Sequence, residues 1–337
     1  MTEPSGPIVG WTVPQEEEAR GGRRPLGELI GDLFGTYRRR VRPILWLALV
    51  IEGLATLLTL PFIALSVAQM AEYARQLWDA FWSFDPTGQA WLYVQLPPVA
   101  TDPVLGAIGG LVSIVPLGSA LLLAGAVSVL LVRPADRPPS PGDALRAVLR
   151  RWAPILLPVL VLGVGFALVS ALSASLTASI DFRGGSALPR PEWLAFSLIL
   201  GLAAPVLLGI AVYLAVRWAV AVPAIVVEGT GLRAGLARST AMTRGRMVHV
   251  FLALLVVVVI YTIAGWLMAV VPLVMAIVLA LAGADPLLAV PAALYVAGRV
   301  LIAPLPALLV ALLYRDFREA EAAEGQAAGR EAMDRTT

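Results

Sequence analysis

Residues Val248–Ala284 read VHVFLALLVVVVIYTIAGWLMAVVPLVMAIVLALAGA, an apolar run that contains no Asp, Glu, Lys or Arg. A helix of about 20 apolar residues crosses the hydrocarbon core of a bilayer, so this run is long enough for one span, with a kink at Pro272. Five further runs of this kind predict an all-α, polytopic membrane bundle of about six transmembrane helices. They are residues 44–67, 104–132, 153–180, 193–227 and 287–314.

The composition supports this class and excludes several chemistries. Of the 337 residues, 59% are hydrophobic and only 14% are charged, whereas about a quarter of a soluble domain is charged. There is no Cys and a single His, His249, which excludes a disulfide, a thiolate nucleophile and a histidine metal cluster. All 25 basic residues are Arg, which excludes a Schiff-base lysine and a Walker-type phosphate loop. We therefore expect no enzyme, no cofactor and no metal.

The arginines also predict the orientation of the chain. Of the 25, 21 fall in the two tails and alternate loops on one side of the six runs, and three fall on the other side. Cytoplasmic loops are enriched in basic residues, so both termini are expected in the cytoplasm. The predicted organisation is a disordered cytoplasmic tail over residues 1–24, a membrane domain over 25–318 and a cytoplasmic tail over 319–337. The Arg, Ala, Gly and Pro bias suggests a GC-rich bacterial genome, and the expected location of the chain is the plasma membrane.

Three cytoplasmic segments resemble one another, each an amphipathic stretch that leads into an apolar run. They are Arg24–Leu45, Ser140–Leu157 and Gly231–Leu252. The pattern predicts three repeats, each an elbow helix followed by a helical hairpin. In the first elbow the apolar stripe contains Leu26, Leu29, Ile30, Leu33, Phe34, Tyr37 and Val41. We expect such stripes to lie on the inner leaflet, although a basic loop is also what the charge rule alone requires.

Basic side chains beside these stripes are the predicted contacts with anionic lipid headgroups on the cytoplasmic side, at about 1 kcal/mol each. They are Arg38, Arg39, Arg40, Arg150 and Arg151. On the opposite side, Met70, Tyr73, Leu77 and Phe81 recur at helical spacing. This spacing predicts an amphipathic helix on the outer membrane surface, as an interfacial anchor, a lid or a lipid-contacting surface.

Two charges lie inside the predicted spans, Glu52 and Arg299. An unpaired charge at that depth costs at least about 2.5–3.5 kcal/mol on insertion scales, so each is expected to face the protein interior. The two are predicted to form a buried ion pair. The alternatives are a protonated Glu52 with Arg299 bonded to backbone carbonyls, or a substrate or proton site.

Two further stretches carry a family resemblance. RWAVAVPAIVVEGTGLRAGLARSTAMTRGR (Arg217–Arg246), LLYRDFRE (Leu312–Glu319) and the first elbow resemble the membrane-domain family of glycerophosphoryl diester phosphodiesterase. The family pattern falls on Glu228, Arg238, Ser239, Tyr314, Asp316 and Arg318. The resemblance implies a multi-pass inner-membrane domain that stands alone. The phosphodiesterase chemistry belongs to a separate (β/α)₈ barrel of about 250 residues, which no segment here could encode.

Two classes of function follow. The first is a non-enzymatic membrane-organising or accessory protein whose partners are membrane lipids or a protein of unknown identity, with no nucleic acid. The alternative is a transporter or lipid-handling protein with a polar site at mid-membrane. Because Glu52 and Arg299 are the only clear intramembrane charges, the sequence favours the first class.

Overall fold

The computed structural model describes residues 24–83, 102–132, 139–179, 206, 209–210, 212–282 and 289–334. Most of these residues are helical and none forms a strand, which confirms the predicted all-α class. The helices are α1 (Leu26–Arg39), α2 (Val41–Trp82), α3 (Pro103–Ser113), α4 (Val115–Val132), α5 (Pro141–Leu149), α6 (Trp152–Ser179), α7 (Ala221–Val227), α8 (Leu232–Thr243), α9 (Met247–Leu281), α10 (Ala289–Ile302) and α11 (Pro304–Asp334).

Five helical stretches within the described residues are long and apolar enough to cross a membrane. They are Val41–Trp82, Pro103–Val132, Trp152–Ala174, Met247–Leu279 and Ala289–Arg330. These stretches coincide with five of the six predicted spans and confirm a membrane bundle. Residues 193–205, which begin the predicted fourth span, lie outside the described residues, and its second half contains a shorter apolar helix, Val212–Val227.

Helix ends follow local sequence signals. Ser140 forms a capping box with Asp143, because its hydroxyl accepts from the Asp143 backbone N–H at 3.1 Å while the Asp143 carboxylate accepts from the Ser140 N–H at 3.3 Å. Asp102 caps α3, because its carboxylate accepts hydrogen bonds from two backbone N–H groups of the first turn. Pro304 begins α11 directly after the break at Ala303, since proline cannot donate a backbone hydrogen bond to the preceding turn.

The three repeats predicted from the sequence are present as elbow plus long helix: α1 with α2, α5 with α6, and α8 with α9. After each long helix the chain returns, through α3–α4, through residues 212–227 that contain α7, and through α10–α11. The returning helices α4, α7 and α11 contact one another and form the centre of the core. Leu123, Ile225 and Leu308 are fully buried there. In contrast, α6 and α9 expose many apolar side chains, as lipid-facing helices do.

Each elbow packs on the returning helix of the preceding repeat: α5 on α4, α8 on α7, and α1 on α11. The last contact closes a ring, because α1 belongs to the first repeat and α11 to the third. The Tyr37 hydroxyl strengthens this closure by donating to the Leu301 carbonyl at 2.9 Å, beside the break between α10 and α11.

The ring corrects the prediction that the first apolar stripe lies on the inner leaflet. Leu29 and Leu33 are each 1% exposed and belong to the protein core, whereas Phe34 is 45% exposed. The apolar stripe therefore has two edges with different surroundings. The edge with Leu29 and Leu33 is packed in the protein core, and the edge with Phe34 faces outward. Helical periodicity identifies such a stripe but does not identify the surface that receives it.

Two other segments differ from their predicted form. The stretch from Met70 to Phe81 is helical, but it is the uninterrupted end of α2 and not a separate surface helix. Helix α2 spans about 63 Å at 1.5 Å per residue, which exceeds the roughly 40–45 Å of a whole bilayer. At the other end of the chain, α11 runs through the predicted domain boundary at residue 318 and continues to Asp334.

Candidate functional site

The two intramembrane charges meet between α2 and α10. Nη2 of Arg299 donates to Oε2 of Glu52 at 2.9 Å, and Glu52 is only 1% exposed. The other carboxylate oxygen, Oε1, accepts from the Ser119 hydroxyl of α4 at 2.6 Å. That hydroxyl also lies 3.0 Å from the Pro116 carbonyl, but a charged carboxylate is the stronger acceptor. The pair was expected from the sequence, whereas Ser119 was not, because a single serine in an apolar helix carries no distinguishing pattern.

A cavity of about 410 Å³ lies beside this ion pair. Its wall is formed by residues of α2, α3, α4, α9 and α10, among them Arg299 and Tyr295. Glu52 does not line the cavity and sits behind the guanidinium. The cavity therefore presents a cation at one place in an otherwise largely apolar wall.

Three of the residues that carry the family resemblance, Glu228, Arg238 and Tyr314, meet beside α11. The Tyr314 hydroxyl donates to Oε1 of Glu228 at 2.9 Å, and Nε of Arg238 donates to the same oxygen at 3.3 Å. The other guanidinium nitrogens of Arg238 bind both carboxylate oxygens of Glu321, the first at 2.9 Å. Burial lowers the pKa of Arg238, but the hydrogen bonds to Glu321 and Glu228 raise it by more, so the net shift keeps the side chain cationic.

Glu321 was missed by the sequence reasoning because it lies in a polar, alanine-rich segment that was interpreted as a tail. Tyr314 and Glu321 are seven residues apart on α11, which places them on one face of the helix. This spacing is the signal that could have identified the second carboxylate.

The serine of the motif has a different task from its neighbour. Ser239 is fully buried, and its hydroxyl donates to the Arg217 carbonyl at 3.0 Å. Thr243 also reaches that carbonyl, at 3.3 Å. The Arg217 carbonyl ends a helical turn and lacks its full set of backbone donors, so the two hydroxyls satisfy it. Ser239 therefore fixes the third elbow to the preceding helix end, while Arg238 holds α11.

Asp316 does not join the Glu228 cluster. It points to the opposite side of α11, where its carboxylate lies 3.6 Å from Arg24 and 3.4 Å from Arg315. Asp32 of the first elbow binds the same two arginines, at 2.8 Å and 3.8 Å. Arg318 is exposed and forms no ion pair within the part of the chain that the structure describes. This segment of α11 is thus held by the first elbow on one side and the third elbow on the other.

The five predicted headgroup arginines divide into two groups. Arg38, Arg39 and Arg150 are exposed and form no ion pair with any described residue. Arg40 is also exposed, but its Nη1 donates to the Leu130 carbonyl at 2.7 Å and so caps the end of α4. Arg151 is half-buried, with its guanidinium packed against Gly229. The structure therefore assigns Arg40 and Arg151 contacts within the protein, because each lies beside the end of a neighbouring helix.

This architecture is that of a multi-pass helical membrane protein. A sequence model of the family described as the membrane domain of glycerophosphoryl diester phosphodiesterase matches residues 193–312. The match agrees with the resemblance predicted from the sequence, and it covers the segment that contains Glu228, Arg238 and Ser239. No curated protein matches the chain, and no solved structure matches it. Among the described residues, no group of three or more His, Cys, Asp or Glu is placed to bind a metal ion.

Proposed function

We propose that this protein is a non-enzymatic accessory protein of the bacterial inner membrane, which organises anionic lipids at its cytoplasmic face and has both termini in the cytoplasm. The observation that carries the proposal is a rim of exposed arginines interleaved with exposed apolar side chains on the first two elbows. Exposed apolar side chains are unfavourable in water, whereas apolar groups beside arginines suit the boundary between lipid headgroups and acyl chains.

The first elbow provides the larger part of this rim. Phe34 is 45% exposed and Arg38 follows one turn later on the same face. At the start of α2, directly after the elbow, Trp46 is 44% exposed and follows the exposed Arg42 at the same spacing. A phenyl or indole ring placed one turn from a guanidinium suits a surface that is apolar on one side and anionic on the other.

The second elbow repeats the arrangement in a short space. Leu149 and Trp152 are 51% and 52% exposed, and the exposed Arg150 stands between them. Because the two elbows occupy equivalent positions in the ring, their arginines are expected at one depth. A shared depth on the arginine-rich side supports the orientation with cytoplasmic termini.

Lipid selectivity of the purified protein tests the proposal. In native mass spectrometry from detergent, the protein should retain phosphatidylglycerol in preference to phosphatidylcholine. At about 1 kcal/mol for each arginine, the double variant R38Q/R39Q should lower this preference by up to about 30-fold. The variant R38K/R39K should keep it, because it retains the charge.

A matched control separates local headgroup contact from total charge. The variant R318Q/R330Q removes two exposed arginines of α11 and should leave the preference close to that of the wild type. Equal losses in R38Q/R39Q and R318Q/R330Q, or no preference in the wild type, would defeat the proposed headgroup role. Hydrolysis of a glycerophosphodiester by the purified chain would overturn its non-enzymatic part.

A further inference from the structure

Four hydroxyl groups in the wall of the cavity beside Arg299 have protons that are already donated, while a fifth, that of Tyr295, hydrogen-bonds the Arg299 guanidinium. Within its wall, Thr56 donates to the Glu52 carbonyl at 2.7 Å and Thr59 to the Thr56 carbonyl at 3.1 Å. Ser66 likewise donates to the carbonyl of residue 62 at 2.8 Å, and Ser113 to that of residue 110 at 2.7 Å. A hydroxyl has one proton and two lone pairs, so these four groups offer only acceptors to a ligand.

Arg299 supplies the complementary donor. A guanidinium carries five N–H groups, and the bond to Glu52 uses one of its nitrogens. Because the carboxylate lies behind the guanidinium and balances its charge, the ion pair is neutral as a unit. A further anion at this depth would bring an uncompensated charge, at a cost of at least about 2.5–3.5 kcal/mol on insertion scales. The site therefore favours a neutral head group with one acceptor and one donor.

The length of the cavity suits an extended hydrocarbon chain. Its wall follows α2 from Thr56 to Met70, which is about 21 Å at 1.5 Å per residue. The cavity volume is about 410 Å³. Phe62, Val112 and Leu273 make the wall apolar. Met70 and Leu273 are 46% and 45% exposed, so the cavity opens at the protein surface within reach of lipid.

We infer that the cavity binds a long-chain carboxylic acid in its protonated form. The carbonyl oxygen accepts from Arg299, and the acid O–H donates to a threonine hydroxyl oxygen, Thr56 being one helical turn beyond Glu52. The chain then runs along α2 toward Met70. A protonated carboxyl places one acceptor and one donor side by side, which an ester or an alcohol of the same length does not. This binding site goes beyond the headgroup contacts of the cytoplasmic face and is independent of them.

Binding of radiolabelled palmitic acid to the purified protein tests the inference. Saturable binding is expected, with methyl palmitate and hexadecanol at least tenfold weaker as competitors. Acetic acid, which lacks the chain, should not compete. Equal competition by hexadecanol would show that the chain alone is recognised and would overturn the assignment of Arg299.

Two variants examine the place of binding. Val112→Phe fills the cavity without touching the ion pair and should weaken palmitic acid binding more than tenfold. The same change at Val161, which is 68% exposed on the outer face of α6, is the matched control and should leave binding unchanged. Unchanged binding in Val112→Phe would overturn the proposed site.

Photo-cross-linking of the unmodified chain tests the site without requiring that any variant folds. A diazirine-bearing palmitic acid should cross-link to α2 between Thr56 and Met70 and to α9 near Leu273. Cross-links confined to other helices would overturn the inference even if every variant unfolded. The double variant E52Q/R299Q, which keeps a neutral pair, should lose the acid's advantage over hexadecanol.

Discussion

Removal of either member of the Glu52–Arg299 pair should destabilise the protein strongly. In Arg299→Gln the carboxylate stays 1% exposed with Ser119 as its remaining partner, and in Glu52→Gln the guanidinium loses its counter-ion. Breaking a buried pair by removing one partner typically costs about 3–5 kcal/mol, most of it the free energy of leaving a charge unpaired. The double variant E52Q/R299Q contains no charge, so its loss should be smaller than the sum of the two single losses by about 2 kcal/mol or more.

The free energy of unfolding in detergent, measured by chemical denaturation of the four proteins, gives this coupling directly. Ser119→Ala is a useful fifth variant, because a hydrogen bond to a charged group is worth about 1.5–3 kcal/mol. Ser119→Ala should lower the free energy of unfolding when Glu52 is intact, and it should do so much less in the Glu52→Gln background. Strictly additive losses for Glu52 and Arg299 would refute the argument that the pair is buried as a unit.

Three further predictions concern the orientation of the chain and the contacts of α1 and α11. The chain has no Cys, so a cysteine at Thr87 should react with an impermeant thiol reagent from outside the cell and one at Ala328 should not; external labelling at Ala328 would reverse the orientation. Leu33→Ala should lower the free energy of unfolding by about 2–5 kcal/mol and Phe34→Ala by less than about 1 kcal/mol, because only Leu33 is buried in the protein core. Similar losses for the two variants would show that both side chains face lipid. Tyr314→Phe should lower the free energy of unfolding by about 1–3 kcal/mol, since it removes a donor from a carboxylate; a neutral effect would show that this bond is dispensable.

Much of the fold could be predicted because the membrane restricts the options of the chain. Long apolar runs have to be helices, and two charges within them have to face inward and find partners. The contact between Glu52 and Arg299 was inferred on this basis, although the residues belong to the first and last repeats. The capping box at Ser140 depends on local sequence alone, because its partner Asp143 is three residues away.

Contacts that depend on the arrangement of whole helices could not be predicted. The apolar stripe of α1 shows that Leu29 and Leu33 share a face, but the surface that covers them comes from the other end of the chain. Glu321 escaped notice because a carboxylate in a polar segment has no distinguishing sequence context before its partner is known. The cavity escaped notice for a similar reason, since small hydroxyl residues in spans usually indicate close helix packing.

The contact between α1 and α11 has a consequence for biosynthesis. Elbow α1 is translated before α11, so Leu29 and Leu33 lack part of their final burial until α11 has left the ribosome. During that interval the leucines must rest in lipid or against a substitute such as a chaperone or insertase. A chain truncated before Pro304 would keep them uncovered, and the exposed first elbow would then distinguish an incomplete product from a finished one.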